Sequence, residues 1–161
     1  MGRDTPSRVQ AIAAALSKRG WRVWLDVHEH LHGSLEESLG RGLRSSDAVL
    51  LCLTAPYRDK LDTALSSPAA VSDNCLRELN AATALRKPVL PLVLEPAMLA
   101  PCSWGTVLTM RVGAHFYVDV SSDHIDASHA DRALRALFGG GPLCSAVLGR
   151  QRHHLRKRVR L

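Results

Sequence analysis

Glu78 is the residue to which the sequence gives the most specific chemistry. It lies in a segment where Leu76, Leu79 and Thr83 repeat with helical spacing, and on such a helix it flanks this face at the rim of a cleft. A carboxylate there can stabilise positive charge that develops on a bound group. The alternative is a structural glutamate in the first turns of a helix, which the helix dipole stabilises. The sequence leaves both interpretations open.

Alternating histidines in a short polar loop form the second candidate site. His28, His30 and His32 are separated by Glu29 and Leu31. Three imidazoles beside Asp26 could ligate a metal, but alternation on an irregular loop does not aim three rings at one point. We therefore predict no metal site and interpret the loop as a solvated interaction surface. Protonation of its histidines below neutral pH would add charge and make association depend on pH.

Charge and composition exclude several classes of protein. The chain has 161 residues, of which 46% are hydrophobic, so one globular domain is expected. Its net charge of +6 comes from six basic residues in 150–161, where no acidic residue occurs. This basic tail could touch acidic surfaces, but it predicts no specific nucleic-acid site. No CxxC pair, secretory signal or membrane-length apolar run occurs, which favours a cytoplasmic protein without a membrane span.

Helical and strand patterns alternate along the chain. Apolar periodicity predicts strands at 21–25, 48–53, 89–94 and 115–120, and the helical stretches between them predict a parallel sheet with helices on both faces. Residues 54–71 are predicted to be a long loop, 126–138 the last helix, and 139–161 a disordered tail. The chain opens with a helix, whereas a doubly wound sheet normally begins with its central strand.

Several motifs between Gly20 and Pro96 together resemble the TIR (Toll/interleukin receptor) domain family. The matching segments, in family order and spacing, are Gly20 to Asp26, Leu31-x-Gly33 with Leu35, Gly42-Leu43-x-Ser45-x-x-Ala48-Val49, Thr54-x-x-Tyr57, Asn74-Cys75-x-x-Glu78-Leu79 with Ala81, and Lys87 to Leu92. Residues 6–19 fit the family's first helix. The resemblance implies a flavodoxin-like α/β domain over residues 6–138 that lacks its first, central strand and is incomplete at its N-terminus.

The same resemblance implies two functions of different classes. One is a signal-transduction module, of the innate-immunity type, that associates with other TIR domains or with itself through residues 28–32 and needs no cofactor. The other is an NAD+ nucleosidase that takes NAD+ as substrate, with Glu78 as catalytic carboxylate. Its cofactor-binding residues would be Asp26, His32, Gly33 and Asn74.

Two departures from the family pattern weigh against catalysis. Many members that cleave NAD+ have an aromatic residue four positions before the glutamate, where this chain has Asn74. The missing first strand leaves either an open slot in the sheet or direct pairing of its neighbours, so we expect little or no NAD+ cleavage. A third hypothesis is a partial TIR domain from a longer protein.

Overall fold

Helices and strands alternate through the computed structural model, which describes residues 5–25, 35–66, 74–122, 124, 127–138 and 158–160. The elements in chain order are α1 (Thr5–Lys18), β1 (Arg22–Trp24), α2 (Leu35–Ser45), β2 (Ala48–Leu53), α3 (Ala55–Ser66), α4 (Asn74–Ala84), β3 (Val89–Val93), α5 (Gly105–Val112), β4 (Val118–Asp119), α6 (Ser128–Phe138) and β5 (Arg158–Arg160). Two short 3-10 turns, Pro96–Met98 and Pro101–Ser103, connect β3 to α5. None of the described helices is both long and apolar enough to cross a membrane.

The five strands form one sheet in the order β1-β5-β2-β3-β4, and every neighbouring pair is parallel. The longest ladder joins β2 and β3 in five residue pairs, from Val49 with Val89 to Leu53 with Val93. Both strands are the continuous apolar runs that a sheet covered on both faces requires. The predicted α/β class with a parallel sheet is therefore confirmed.

Two apolar clusters cover the two faces of the sheet. Alternation along β2 sends Ala48 and Leu50 to the first cluster, and Leu51 and Leu53 to the second. The first cluster is closed by α1 and α6, whose buried side chains include Leu16 and Leu134. The second is closed by α3, α4 and α5. The core therefore lies in two layers around β2 and β3.

The centre of the sheet differs from the sequence prediction. The position between β1 and β2, predicted to lack a strand, is occupied by residues 158–160, which pair in parallel with both neighbours. The predicted disordered tail over 139–161 thus contains a strand at 158–160, while 139–157 lie outside the described residues. The physical reason is that backbone groups along β1 and β2 need partners, and a strand that pairs with both satisfies them whatever its side chains.

Residues 54–71, predicted as a loop, contain the helix α3. Two side chains cap its first turn. The backbone N–H of Ala55 donates to the carboxylate of Glu95, which is distant in sequence (2.9 Å), and that of Tyr57 donates to Oγ1 of the adjacent Thr54 (3.2 Å). Only Leu61 and Ala64 of α3 are buried, so its apolar pattern is faint. Residues 67–71 of this predicted loop lie outside the described residues.

Candidate functional site

The helix α4 places Asn74 and Glu78 near the edge of the sheet where the strands end. Its C-terminus joins the beginning of β3 through a short turn at Leu85–Pro88, so α4 runs antiparallel to the strands. Its first turns therefore point toward the carboxyl ends of the strands. In open α/β sheets that edge is where ligands bind.

Asn74 and Glu78 lie one helical turn apart, and both are half-buried. Leu79, directly after the glutamate, is buried in the second apolar cluster and fixes how α4 sits against the sheet. Beside them, Lys60 Nζ of α3 donates to Cys75 Sγ at 3.7 Å. An amide, a carboxylate and an ammonium group are thus gathered around the beginning of α4. The amide and the ammonium group can bind a polar ligand, and the carboxylate can stabilise positive charge on it.

The other residues predicted for this site, Asp26 and the loop residues His28, Glu29, His30, Leu31, His32 and Gly33, lie outside the described residues. Their neighbours on either side are described. Leu25 follows β1 at its carboxyl end, and α2, which begins at Leu35, packs against α4. The end of the loop that leads into α2 thus lies beside α4. The structure brings Asn74 and Glu78 together and gives no distance from them to the loop.

A second candidate surface is an open groove of about 750 Å³ between β4 and α6. It is lined by apolar side chains with charged and polar groups among them: Val89, Leu90, His115, Phe116, Tyr117, Val118, Asp119, His129, Arg132, Ala133, Ala136 and Leu137. Phe116 is 75% exposed and Leu137 is 43% exposed. We refer to this set of residues as the β4/α6 groove. An apolar concavity of this kind on a surface is typical of a binding site.

Sequence reasoning missed the β4/α6 groove. It assigned residues 115–120 to a strand, whereas β4 covers only Val118–Asp119 and Phe116 precedes it. A phenylalanine in an apolar run is normally interpreted as core. The available signal was the spacing of His129 and Arg132, three apart on α6, which places polar groups on one helix face beside the apolar Leu137.

Cys52 cannot serve as a nucleophile. Burial raises the pKa of its thiol to about 12, so the reactive thiolate is not populated near neutral pH. The interpretation of Cys52 as a core residue is confirmed, since its side chain packs against the first apolar cluster. Among the described residues no group of three or more His, Cys, Asp or Glu side chains could hold a metal ion. The histidines of residues 28–32 lie outside that set.

A polar cluster beside β1 is structural. Trp21 Nε1 donates to Asp131 Oδ1 at 2.7 Å, and Arg135 Nε donates to the same carboxylate at 3.0 Å. Burial raises the pKa of the Asp131 carboxyl, but the hydrogen bonds from Arg135 and Trp21 and the charges of Arg135 and Arg19 outweigh it. The pKa is therefore lowered overall. These bonds connect α6 to Trp21, the residue that directly precedes β1.

Comparison with known proteins fixes the family. Neither a search of curated proteins nor a search of solved structures finds a match. A family model described as TIR domain matches residues 2–137. That match spans the elements from α1 to most of α6 and includes both candidate surfaces. With its parallel sheet and helices on both faces, the chain belongs to the TIR domain family.

Proposed function

We propose that this chain is a signalling module that acts by associating with a second TIR domain, and that the β4/α6 groove is a contact surface in that association. The observation that carries the proposal is the exposure of Phe116 and Leu137 in a groove of about 750 Å³. Burying such side chains against a partner contributes about 25 cal/mol for each Å² removed from water. Family membership supplies the class of partner, a TIR domain of a second copy or of another protein.

The charged and apolar side chains of the β4/α6 groove are complementary to those of residues 28–32 in a neighbouring domain. Arg132 offers a cation to Glu29 of the partner copy, and the apolar part of the groove offers a place for Leu31. Asp119, His115 and His129 also line the groove. We propose that residues 28–32 of one copy dock into the groove of the next.

The first prediction concerns two exposed leucines. Leu137→Ser, inside the groove, should weaken self-association about fivefold or more, since it removes apolar area from the contact. Leu65→Ser is the matched control, because Leu65 is 58% exposed on α3 and does not line the groove. Sedimentation velocity over a concentration series of the full chain measures both. Equal association constants for the two variants would contradict the groove as a contact surface.

The second prediction concerns pH. Protonating His28, His30 and His32 adds positive charge to the loop, which faces Arg132 in the proposed contact. Association should therefore weaken as the pH falls through about 6.5, the ordinary range of histidine. Changing the three loop histidines to Ala should reduce this dependence. Identical oligomer distributions from pH 8 to pH 5.5 would exclude the loop from the interface.

We propose NAD+ cleavage as a second candidate function, on the observation that Asn74 and Glu78 are half-buried together near the carboxyl edge of the sheet. Glu78 would stabilise the positive charge on the ribose as nicotinamide leaves. The asparagine in place of an aromatic ring predicts slow turnover, since stacking contributes about 0.5–1.5 kcal/mol beyond area burial. Nicotinamide release that disappears in Glu78→Gln would support this function. Equal release by both chains would contradict it.

A further inference from the structure

β5 occupies a slot in the middle of the sheet that is formed by two other strands. Residues 158–160 are in register with 22–24 of β1, and 159–160 are in register with 48–49 of β2. Both relations are parallel. The slot is therefore defined by strands from the first third of the chain, and its occupant comes from a distant segment.

The slot requires an occupant because it is covered. Leu16 of α1 packs in one apolar cluster with Ala48 of β2, and Val23 of β1 packs against that cluster. Backbone N–H and C=O groups along the facing edges of β1 and β2 would be excluded from water without a strand between them. Buried backbone groups almost always have hydrogen-bond partners. An extended segment in parallel orientation supplies those partners through its own backbone.

β5, which occupies the slot, pairs with its two neighbours over only a few residues. β5 pairs with β1 at three positions and with β2 at two, whereas β2 pairs with β3 at five. Residues 139–157 lie between the end of α6 and the beginning of β5. The ladder itself depends on backbone groups and not on that covalent connection. The same segment of another molecule presents the same groups.

We infer that the slot between β1 and β2 is a binding site for an extended peptide strand, and that residues 158–160 of a second copy of this chain are a ligand that fits it. Two copies that exchange this strand reciprocally form a closed dimer with two-fold symmetry. The strand of the same molecule competes at the high effective concentration that covalent linkage gives. Binding in trans is therefore strongest where a chain's own strand is disabled.

Proline at the centre of β5 tests the inference in the full chain. Val159→Pro removes a backbone donor and does not fit a central strand, so the melting temperature should fall by about 5 °C or more. Arg158→Ala, which keeps every backbone donor, should melt as the unchanged chain does. A peptide of residues 156–161, at about 1 mM, should restore most of the loss. The same peptide with Val159→Pro should restore none.

The outcomes of that experiment are decisive in both directions. If Val159→Pro melts within about 1 °C of the unchanged chain, the slot needs no strand and the inference is overturned. Equal effects of the two peptides would also overturn it, because the binding would then not depend on strand pairing.

Disulfide capture tests the site where Val159→Pro fails to fold. Val23 and residue 159 are Cα partners across the ladder, and paired Cα atoms in neighbouring strands are close enough for a disulfide. At about 1 mM peptide, which competes with the chain's own strand, the full chain with Val23→Cys should capture a 156–161 peptide carrying Val159→Cys at least about fivefold more than one carrying Arg158→Cys, which is out of register. The chain with Val23 unchanged gives the background of the native thiols. Equal capture of both peptides, or no capture above that background, would overturn the site.

Discussion

The sheet has two sides in the direction across its strands, one formed by β2 and β3 and the other by β1 and β5, and they are built in opposite ways. β2 and β3 are apolar runs that pair over five residues and are joined through α3 and α4. β1 and β5 are three-residue strands with arginines in their sequences, and more than 130 positions of the chain separate Arg22 from its partner Arg158. The first side is stabilised by burial of side chains on both faces. The second side depends on backbone pairing brought together from distant segments.

The contrast explains where local sequence patterns are informative. A long apolar run forms a strand in almost any sheet, because burial of its side chains on both faces stabilises it whichever strand lies next to it. A short strand with charged residues forms only where a slot already exists for it. Its position is a property of the assembled fold, and contacts so distant in sequence form late and at a high entropic cost.

The largest expected effect compares one apolar residue of β3 with one of β1. Leu92→Ala in β3 should lower the free energy of unfolding by about 2–5 kcal/mol, because Leu92 is fully buried and its removal leaves a cavity. Val23→Ala in β1 should lower it by about 0.5–1.5 kcal/mol, since Val23 is only half-buried. Urea unfolding with an unchanged slope measures both. Equal losses would mean that the two sides are packed alike.

The same contrast separates the predicted elements from the missed ones. The strand at 48–53 was predicted with the bounds that the structure has, and β3 differs from its prediction by one residue. α3 and α5 were missed in part because side chains distant in sequence cap their N-termini, Glu95 for α3 and Asp62 for α5. No local pattern reports those two caps, although Thr54 also caps α3 locally. β5 was missed because a basic segment is normally solvated.

The next largest effect compares Gly105, at the start of α5, with Gly20, just before β1. Gly105, where α5 packs against α3, has φ +71°, and a Cβ there would collide with Asp62, whose carboxylate accepts the backbone N–H groups of Thr106 and Val107. Gly105→Ala should therefore cost about 2–3 kcal/mol, from backbone strain plus a displaced cap. Gly20, just before β1, has φ +94° and open space around it, so Gly20→Ala should cost only the strain, about 1 kcal/mol.

Thermal or urea unfolding of the two glycine variants measures that difference. The excess loss in Gly105→Ala reports how much the contact between α3 and α5 contributes beyond backbone conformation. If the two variants lose the same stability, the Asp62 cap contributes nothing measurable to the α5 side of the core.

The candidate site divides along similar lines. Glu78 and Asn74 were predicted as site residues from the sequence because they share one helix with a recognisable motif; the structure places both on α4, and their roles stay predictions. The β4/α6 groove was not found, because it forms only when residues from β3, β4 and α6 meet. A motif within one element can be recognised locally. A surface made by three elements requires the fold first.

The smallest expected effect tests the polar contacts that hold β1. Asp131→Asn should lower stability by about 0.5–1 kcal/mol at pH 7, since it removes the charge that Arg135 and Arg19 face, while an amide still accepts from Trp21. Asp59→Asn, on the exposed face of α3, is the control on the opposite side and should change stability by less than about 0.5 kcal/mol.

The pH dependence of this loss has a definite sign. The folded state lowers the pKa of the Asp131 carboxyl, so its contribution is present above the ordinary aspartate pKa of about 3.9 and is lost as the pH falls through the lower folded value. The stability difference between the unchanged chain and Asp131→Asn should thus be constant from pH 7 to about pH 5 and shrink below about pH 4. A difference that persists undiminished at pH 3 would mean that Asp131 acts through shape and neutral hydrogen bonds. The β1 side would then be held as the β2–β3 side is, by packing.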